Sequence, residues 1–179
     1  GFFGTAVAWS NLTLNESFAT FGEIIWHGYD EGKDAEDKSR YEKLQSYISS
    51  TKNGESPILA RFYYNDKEDM FDNVSYAKGS VILYAMKNQM GDAAFYKGLN
   101  KYLTTNAFKN GETHQLRLAM EDITGKDWSP YFNQWYYAGG HPILAVDYGY
   151  ENGKATIKVK QTQDAAVQTF TLPVKVVIY

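Results

Sequence analysis

Two periods of hydrophobic positions divide the chain: apolar residues recur at helical spacing from residue 14 to about residue 138, and alternate beyond residue 141. The clearest stripe, Leu14, Phe18, Phe21 and Ile25 at i, i+4, i+7 and i+11, predicts a helix over 14–29 that Gly28 and Gly32 help to end. A second helix is expected over 35–50, where Tyr41, Leu44, Tyr47 and Ile48 are apolar and the remainder largely charged, as on an outer, solvated helix. Residues 52–73 are irregular, with a short strand expected over 58–64. Asn73 is read as the N-cap of a helix over 74–90 stopped by Gly91, and Asp92 as the cap of the next, running to about residue 104. Thr113 is read as capping 116–124 before Gly125. Ser129-Pro130 opens a last helix over 130–138, because proline suits a first turn, and Gly139-Gly140 closes it.

After His141-Pro142 the period becomes two: Leu144, Val146, Tyr148 and Tyr150 alternate, followed by 156–160 and then Phe170, Leu172, Val174, Val176 and Ile178. Residues 141–179 are too few to make a stable sheet layer alone, and Pro173 marks an edge or a bulge. The pattern therefore predicts an α+β chain, mainly α, with a helical lobe over 1–140 and the start of an incomplete β domain over 141–179.

Length and composition narrow the class. At about 150 residues per domain, a chain of 179 residues holds one domain, or one and the beginning of another. Hydrophobic residues at 44% and charged residues at 22% exclude disorder and low-complexity architecture. Aromatic residues reach 16%, so many rings must pack together or line a surface. Tyr63, Tyr64, Trp135, Tyr136 and Tyr137 are candidates for a peptide cleft, with hydrophobic core the stronger expectation. Lys+Arg 18 against Asp+Glu 21 leaves a net charge of -3, without the basic excess that nucleic acid requires. The absence of cysteine removes disulfides, thiolate nucleophiles and Cys-type zinc sites. The strongly apolar stretch 81–86 falls far short of the roughly 20 residues of a membrane-spanning helix. Residues 1–8 have no basic leader and read as mid-protein sequence.

Two side chains stand out for chemistry. Glu16 falls in the first turn of a helix, with small Ala19 and Thr20 at i+3 and i+4 leaving room beside it. Taken locally, the helix macrodipole accounts for a carboxylate there. Tyr76 lies near the start of a later helix on one face with Gly79, Ser80 and Leu83, where a phenol can donate to a developing oxyanion. Taken locally, a buried ring with a nearby partner accounts for it as well. Of the three histidines, His27 pairs at i, i+4 with Glu23 but lies about 16 Å along the helix from Glu16, too far to share an ion with it. His114 reads as a first-turn helix residue and His141 as a junction residue. The N-x-[ST] sequences at Asn11, Asn15 and Asn73 overlap helix starts and read as chance matches, and the charged run 30–43 as a solvated face.

Trp9, Leu12, Leu14 and Glu16 form W-x-x-L-x-L-x-E, and Tyr76, Lys78 and Gly79 form Y-x-K-G. Together they resemble the aminopeptidase N-type zinc metallopeptidases, the gluzincin family. Residues 95–108, 111–125 and 131–142, the last ending in Gly140-His141-Pro142, resemble the helices that follow and the approach to that family's β-sandwich. The resemblance implies the helical lobe of a thermolysin-like zinc peptidase domain, followed by the first strands of a β-sandwich. It also implies that Glu16 is the third zinc ligand and Tyr76 the catalytic tyrosine.

The family's H-E-x-x-H, with two zinc-binding histidines and the general base, is absent, and its spacing places the second histidine just upstream of Gly1. Gly1, Thr5 and Trp9 keep the register of the intervening segment, whereas Phe2 and Gly4 depart from it. The resemblance thus implies one zinc ion in a parent protein whose missing N-terminal part completes the site. That parent would use a metal-activated water on peptide substrates with a free N-terminus, while this chain alone would hold zinc weakly and be inactive. An alternative is a noncatalytic peptide-binding or scaffold relative lacking the zinc site. An aromatic carbohydrate-binding module would explain the rings but not the ordered motifs.

Overall fold

Helices form where the apolar stripes lie, and what differs is how they begin and end. The computed structural model describes residues 4–6 and 8–177, with side chains from residue 8 onward. Ile178, Gly1 and Phe2, which figure in the sequence reading, lie outside the described residues. Helix α1 spans Thr13–Asp30 and α2 spans Lys33–Ser49, joined through Gly32 at φ 98°. Gly28 does not end α1 but lies inside it, where a Cβ would sit 3.1 Å from the Glu36 side chain of α2. A π-helical turn, Val74–Lys78, leads into α3, Gly79–Met90, followed by α4, Asp92–Thr105, α5, Thr113–Thr124, and α6, Ser129–Trp135.

Three expected caps are replaced. Asp72, not Asn73, caps the turn at Val74: its Oδ1 accepts from the backbone N–H of Val74 at 3.0 Å and of Ser75 at 2.9 Å. The Asn73 amide turns instead to Ser46. Gly91 at φ 79° holds the position before α4, which puts Asp92 inside the first turn. Glu112 and Gln115 form a reciprocal capping box on α5, and Thr113 is drawn into the helix because its N–H and hydroxyl donate to Asn11 Oδ1 at 3.0 and 2.8 Å. Helix α6 ends at Trp135, short of residue 138, and the chain turns away through Gly140 at φ 82°.

The core joins Phe21 and Ile24 of α1, Leu83 and Met86 of α3, Phe95 of α4, Leu116 and Met120 of α5 and Phe132 of α6. Phe21 meets Phe95 edge-on at 5.5 Å, and Phe132 stacks on Tyr136 at 4.6 Å. The strand expected over 58–64 does not form. Leu59 and Ala60 are buried as irregular chain, tied by a 2.8 Å bond from the Ala60 N–H to the Tyr136 carbonyl.

Strand β1, Gly4–Ala6, pairs in parallel with β2, Lys109–Gly111, a pairing that no local pattern announced. Strands β3, Leu144–Glu151, and β4, Lys154–Gln161, form an antiparallel hairpin. Its two-residue turn, Asn152-Gly153, has both φ angles positive, as a tight hairpin of this hand requires. The third strand expected from Phe170 onward is absent over 170–177. Glutamine side chains occupy the backbone there: Phe170 exchanges two hydrogen bonds with the Gln161 amide, and Thr171 two with the Gln134 amide. Among the described residues no helix is long and apolar enough to cross a membrane.

Candidate active site

The first turn of α1 presents Glu16, half-buried and, among the described residues, without an ion pair. Opposite it stands Tyr76, carried by the π-helical turn. The structure brings these two together: the Tyr76 phenol is raised above its ordinary pKa, first by burial, then by the charge of the Glu16 carboxylate and by hydrogen bonding to it. Where the Tyr76 turn runs into α3, the chain packs on α1 as closely as glycine permits, since a Cβ on Gly79 would collide with the Ser17 side chain. Ser17 Oγ donates to the Ser75 carbonyl at 2.6 Å, and the Thr13 hydroxyl meets Ser17 in turn.

Residues that the sequence reading passed over hold the Tyr76 turn. Arg61 grips Asp72 with both guanidinium nitrogens, at 2.8 and 2.9 Å, and reaches Ser75 Oγ at 3.1 Å. Ser75 Oγ donates to the Met70 carbonyl at 2.6 Å. An aspartate two positions before a helical turn is a legible capping signal for Asp72. Arg61, in an irregular segment, carries no such signal.

Lys78, two residues beyond Tyr76, is 2% exposed. Its amine donates to Ser56 Oγ at 3.3 Å and lies over the Tyr47 ring at 5.6 Å. Burial, and then the charge of Arg61, push its pKa down to about 8, with Asp72 opposing. Ser56 Oγ also contacts the Tyr47 hydroxyl at 2.9 Å and accepts the Gly140 N–H at 3.1 Å. The same Tyr47 hydroxyl lies 3.0 Å from His141 Nδ1, so the Lys78 of Y-x-K-G and the Gly-His-Pro segment share one polar network. An open groove of about 1230 Å³ runs past Ser56, Gly140 and Val167 to Asp72, Val74 and Tyr76, but does not take in Glu16.

The other candidates separate cleanly. His27 lies 2.5 Å from Glu31 while Glu23 pairs with Lys43 at 2.8 Å, so Glu23 and His27 do not act together. His114 is exposed beside Glu112. Asn11 is 5% exposed with its amide oxygen engaged, which suits no glycan. Of the aromatic candidates, Tyr63 is 97% exposed, Tyr64 is exposed, Tyr136 is 1% exposed, and Trp135 and Tyr137 pack partly buried against the core. Among the described residues no group of three or more His, Cys, Asp or Glu side chains converges as a metal site.

Residues 2–135 match the peptidase family M1 domain, and the chain belongs to this family of zinc metallopeptidases. It is 33% identical over 148 residues to aminopeptidase A of Gloydius brevicauda, an alignment that takes in 78% of this chain and 15% of that protein. The fold is shared with Legionella pneumophila aminopeptidase A, at a TM-score of 0.70 and 18% identity over 89% of this chain and 18% of that one. The M1 zinc metallopeptidase of Deinococcus radiodurans aligns at a TM-score of 0.58 and 24% identity, over 73% of this chain and 28% of that one. The expected aminopeptidase-type family and the mainly α architecture are thus borne out.

Proposed function

We propose that the chain is part of the catalytic domain of a zinc-dependent aminopeptidase, with Glu16 as a zinc ligand and Tyr76 as the donor that stabilises the developing oxyanion. The observation that supports this reading is the packing of the Tyr76 turn on the Glu16 turn, far apart in sequence, tied by the 2.6 Å bond from Ser17 Oγ to the Ser75 carbonyl, so that the Glu16 charge acts on the Tyr76 phenol. Residues 1–140 form the helical lobe of that domain and 141–179 the start of a β-sandwich. The two remaining ligands and the general base belong to an H-E-x-x-H segment upstream in the parent protein, and the substrates are peptides with a free N-terminus.

Zinc, when bound, supplies the Lewis acid that polarises a scissile carbonyl and activates water. Glu16 would contribute one carboxylate oxygen donor, and among the described residues no cation pairs with it. The phenol of Tyr76, its pKa raised by burial and by Glu16, keeps its proton through neutral pH and so remains a donor for the tetrahedral oxyanion.

In the full-length protein, Glu16→Gln is expected to lose zinc, and Tyr76→Phe to keep zinc while kcat falls by about 100-fold or more, the size of effect of removing one oxyanion donor. Zinc content by atomic absorption and hydrolysis of aminoacyl anilides separate the two. The purified 179-residue chain is expected to hold zinc weakly and to leave the anilide intact; one tight zinc together with turnover would overturn that part of the proposal. Full-length protein without an H-E-x-x-H segment and without turnover would favour a noncatalytic peptide-binding relative.

A further inference from the structure

The Tyr76 turn is held from two sides by groups that have no part in the reaction as proposed. On one side, Asp72 Oδ1 takes the backbone N–H groups of Val74 and Ser75, the two residues immediately before Tyr76. Both Asp72 oxygens are fixed by the Arg61 fork, and the same Arg61 reaches Ser75 Oγ. Arg61 is nearly buried, while 33% of the Asp72 side chain remains exposed. On the other side, the Ser75 carbonyl accepts from Ser17, the neighbour of Glu16 on α1. Ser75 is therefore bound through its N–H, its hydroxyl and its carbonyl, and Tyr76 follows it directly.

This density of polar ties is more than a helix start needs. One side-chain oxygen satisfies an N-cap, and an ordinary α-helical turn would need no arginine behind the cap. The turn here is π-helical, a geometry rare enough to require support. Its effect is to hold residue 76 on a turn tied to the first turn of α1, where Glu16 lies. A donor has to lie within a few tenths of an ångström of its target to be useful, and small displacements cost large factors in rate.

We propose that Arg61 and Asp72 are positioning residues for Tyr76: through Ser75 they lock the π-helical turn against α1 and so set the placement of the phenol relative to Glu16. The proposal rests on the reading of Tyr76 as oxyanion donor.

The test uses the full-length, zinc-loaded protein with Arg61→Lys and Asp72→Asn, each alone and combined with Tyr76→Phe. Lysine keeps the charge but cannot grip both carboxylate oxygens. Arg61→Lys is expected to lower kcat about tenfold, with KM and zinc content unchanged and with faster hydrogen exchange at the Val74 and Ser75 amides. In the Tyr76→Phe background the same substitution is expected to cause no further loss, because its effect passes through the phenol. Asp72→Asn keeps a capping oxygen but loses the ion pair, so it is expected to lower kcat in the same direction and, again, to add no loss in the Tyr76→Phe background; it also serves if Arg61→Lys fails to fold.

Unchanged kcat and exchange in Arg61→Lys would overturn the proposal, as would an equal loss with and without the phenol. Either result, paired with a low kcat for Tyr76→Phe, leaves the donor reading of Tyr76 standing. Full activity of Tyr76→Phe would overturn both.

Discussion

The helical core and the β3–β4 hairpin are both regular in backbone pairing, yet they stand at opposite ends of burial. In the core, Leu83, Met86, Phe95, Leu116 and Phe132 are sealed from solvent by four different helices. In the hairpin, every residue of β3 is exposed, including Val146, Tyr148 and Tyr150. A helix can bury its stripe against several neighbours, whereas two strands have only each other and no layer behind them. The difference teaches that alternating hydrophobicity marks a face that calls for a covering layer, and that the described residues do not supply one.

The sharpest break of this comparison is a cavity in the core. Phe132→Ala is expected to cost about 3–5 kcal/mol, read as a fall in the urea midpoint of unfolding. A much smaller loss would mean that the helices repack as loosely as the hairpin is covered.

Lys78 probes the polar side of the same interior. Its ordinary pKa of 10.5 and its folded value of about 8 bound a window in which the unfolded chain binds more protons than the folded one. Stability therefore rises as pH is raised through that window, and below it the burial penalty is fully present. Lys78→Met is expected to stabilise the chain at pH 7 by up to about 3 kcal/mol and to remove the lysine's share of the rise. The two proteins are compared by urea unfolding at pH 7, 8 and 9.5. Because Lys78 also holds Ser56, a destabilised variant would show that the network outweighs the cost of the buried amine.

The smallest effect is expected in the hairpin. Val146→Ala should change stability by no more than about 0.5 kcal/mol, the range of exposed substitutions. A loss as large as that of Phe132→Ala would show that β3 is covered in solution.

The elements themselves were legible because their signals are local. The Leu14, Phe18, Phe21 stripe specifies α1, Gly125 at φ 65° closes α5, and the alternation from Leu144 specifies β3. The caps were less legible, because Asp72 and Asn73 are both good capping residues, and because Thr113 is the better cap by type although Glu112 takes the position with Gln115. Which residue caps was settled by distant partners: Ser46 draws Asn73 away, and Asn11 draws Thr113 into its helix. The strand expected over 58–64 failed for the same reason, since β-propensity needs an edge to pair with, and among the described residues its backbone tie is the bond from Ala60 to Tyr136.

The candidate site divides along the same line. The motif around Glu16 and the motif around Tyr76 could each be read in the chain, with the family they resemble. Arg61 could not, because a guanidinium in an irregular segment looks like any exposed charge until Asp72 and Ser75 close around it. By itself the sequence determined the helical lobe, the change of period near residue 141 and the two residue types available for chemistry, since propensity and periodicity act over a few neighbouring positions. Only the tertiary structure decided that α1 and the π-helical turn are tied through Ser17 and Ser75, that the Glu16 charge acts on Tyr76, and that Lys78 lies buried against Ser56. Those facts depend on which surfaces exclude water from one another, and burial between distant segments leaves no mark on local order.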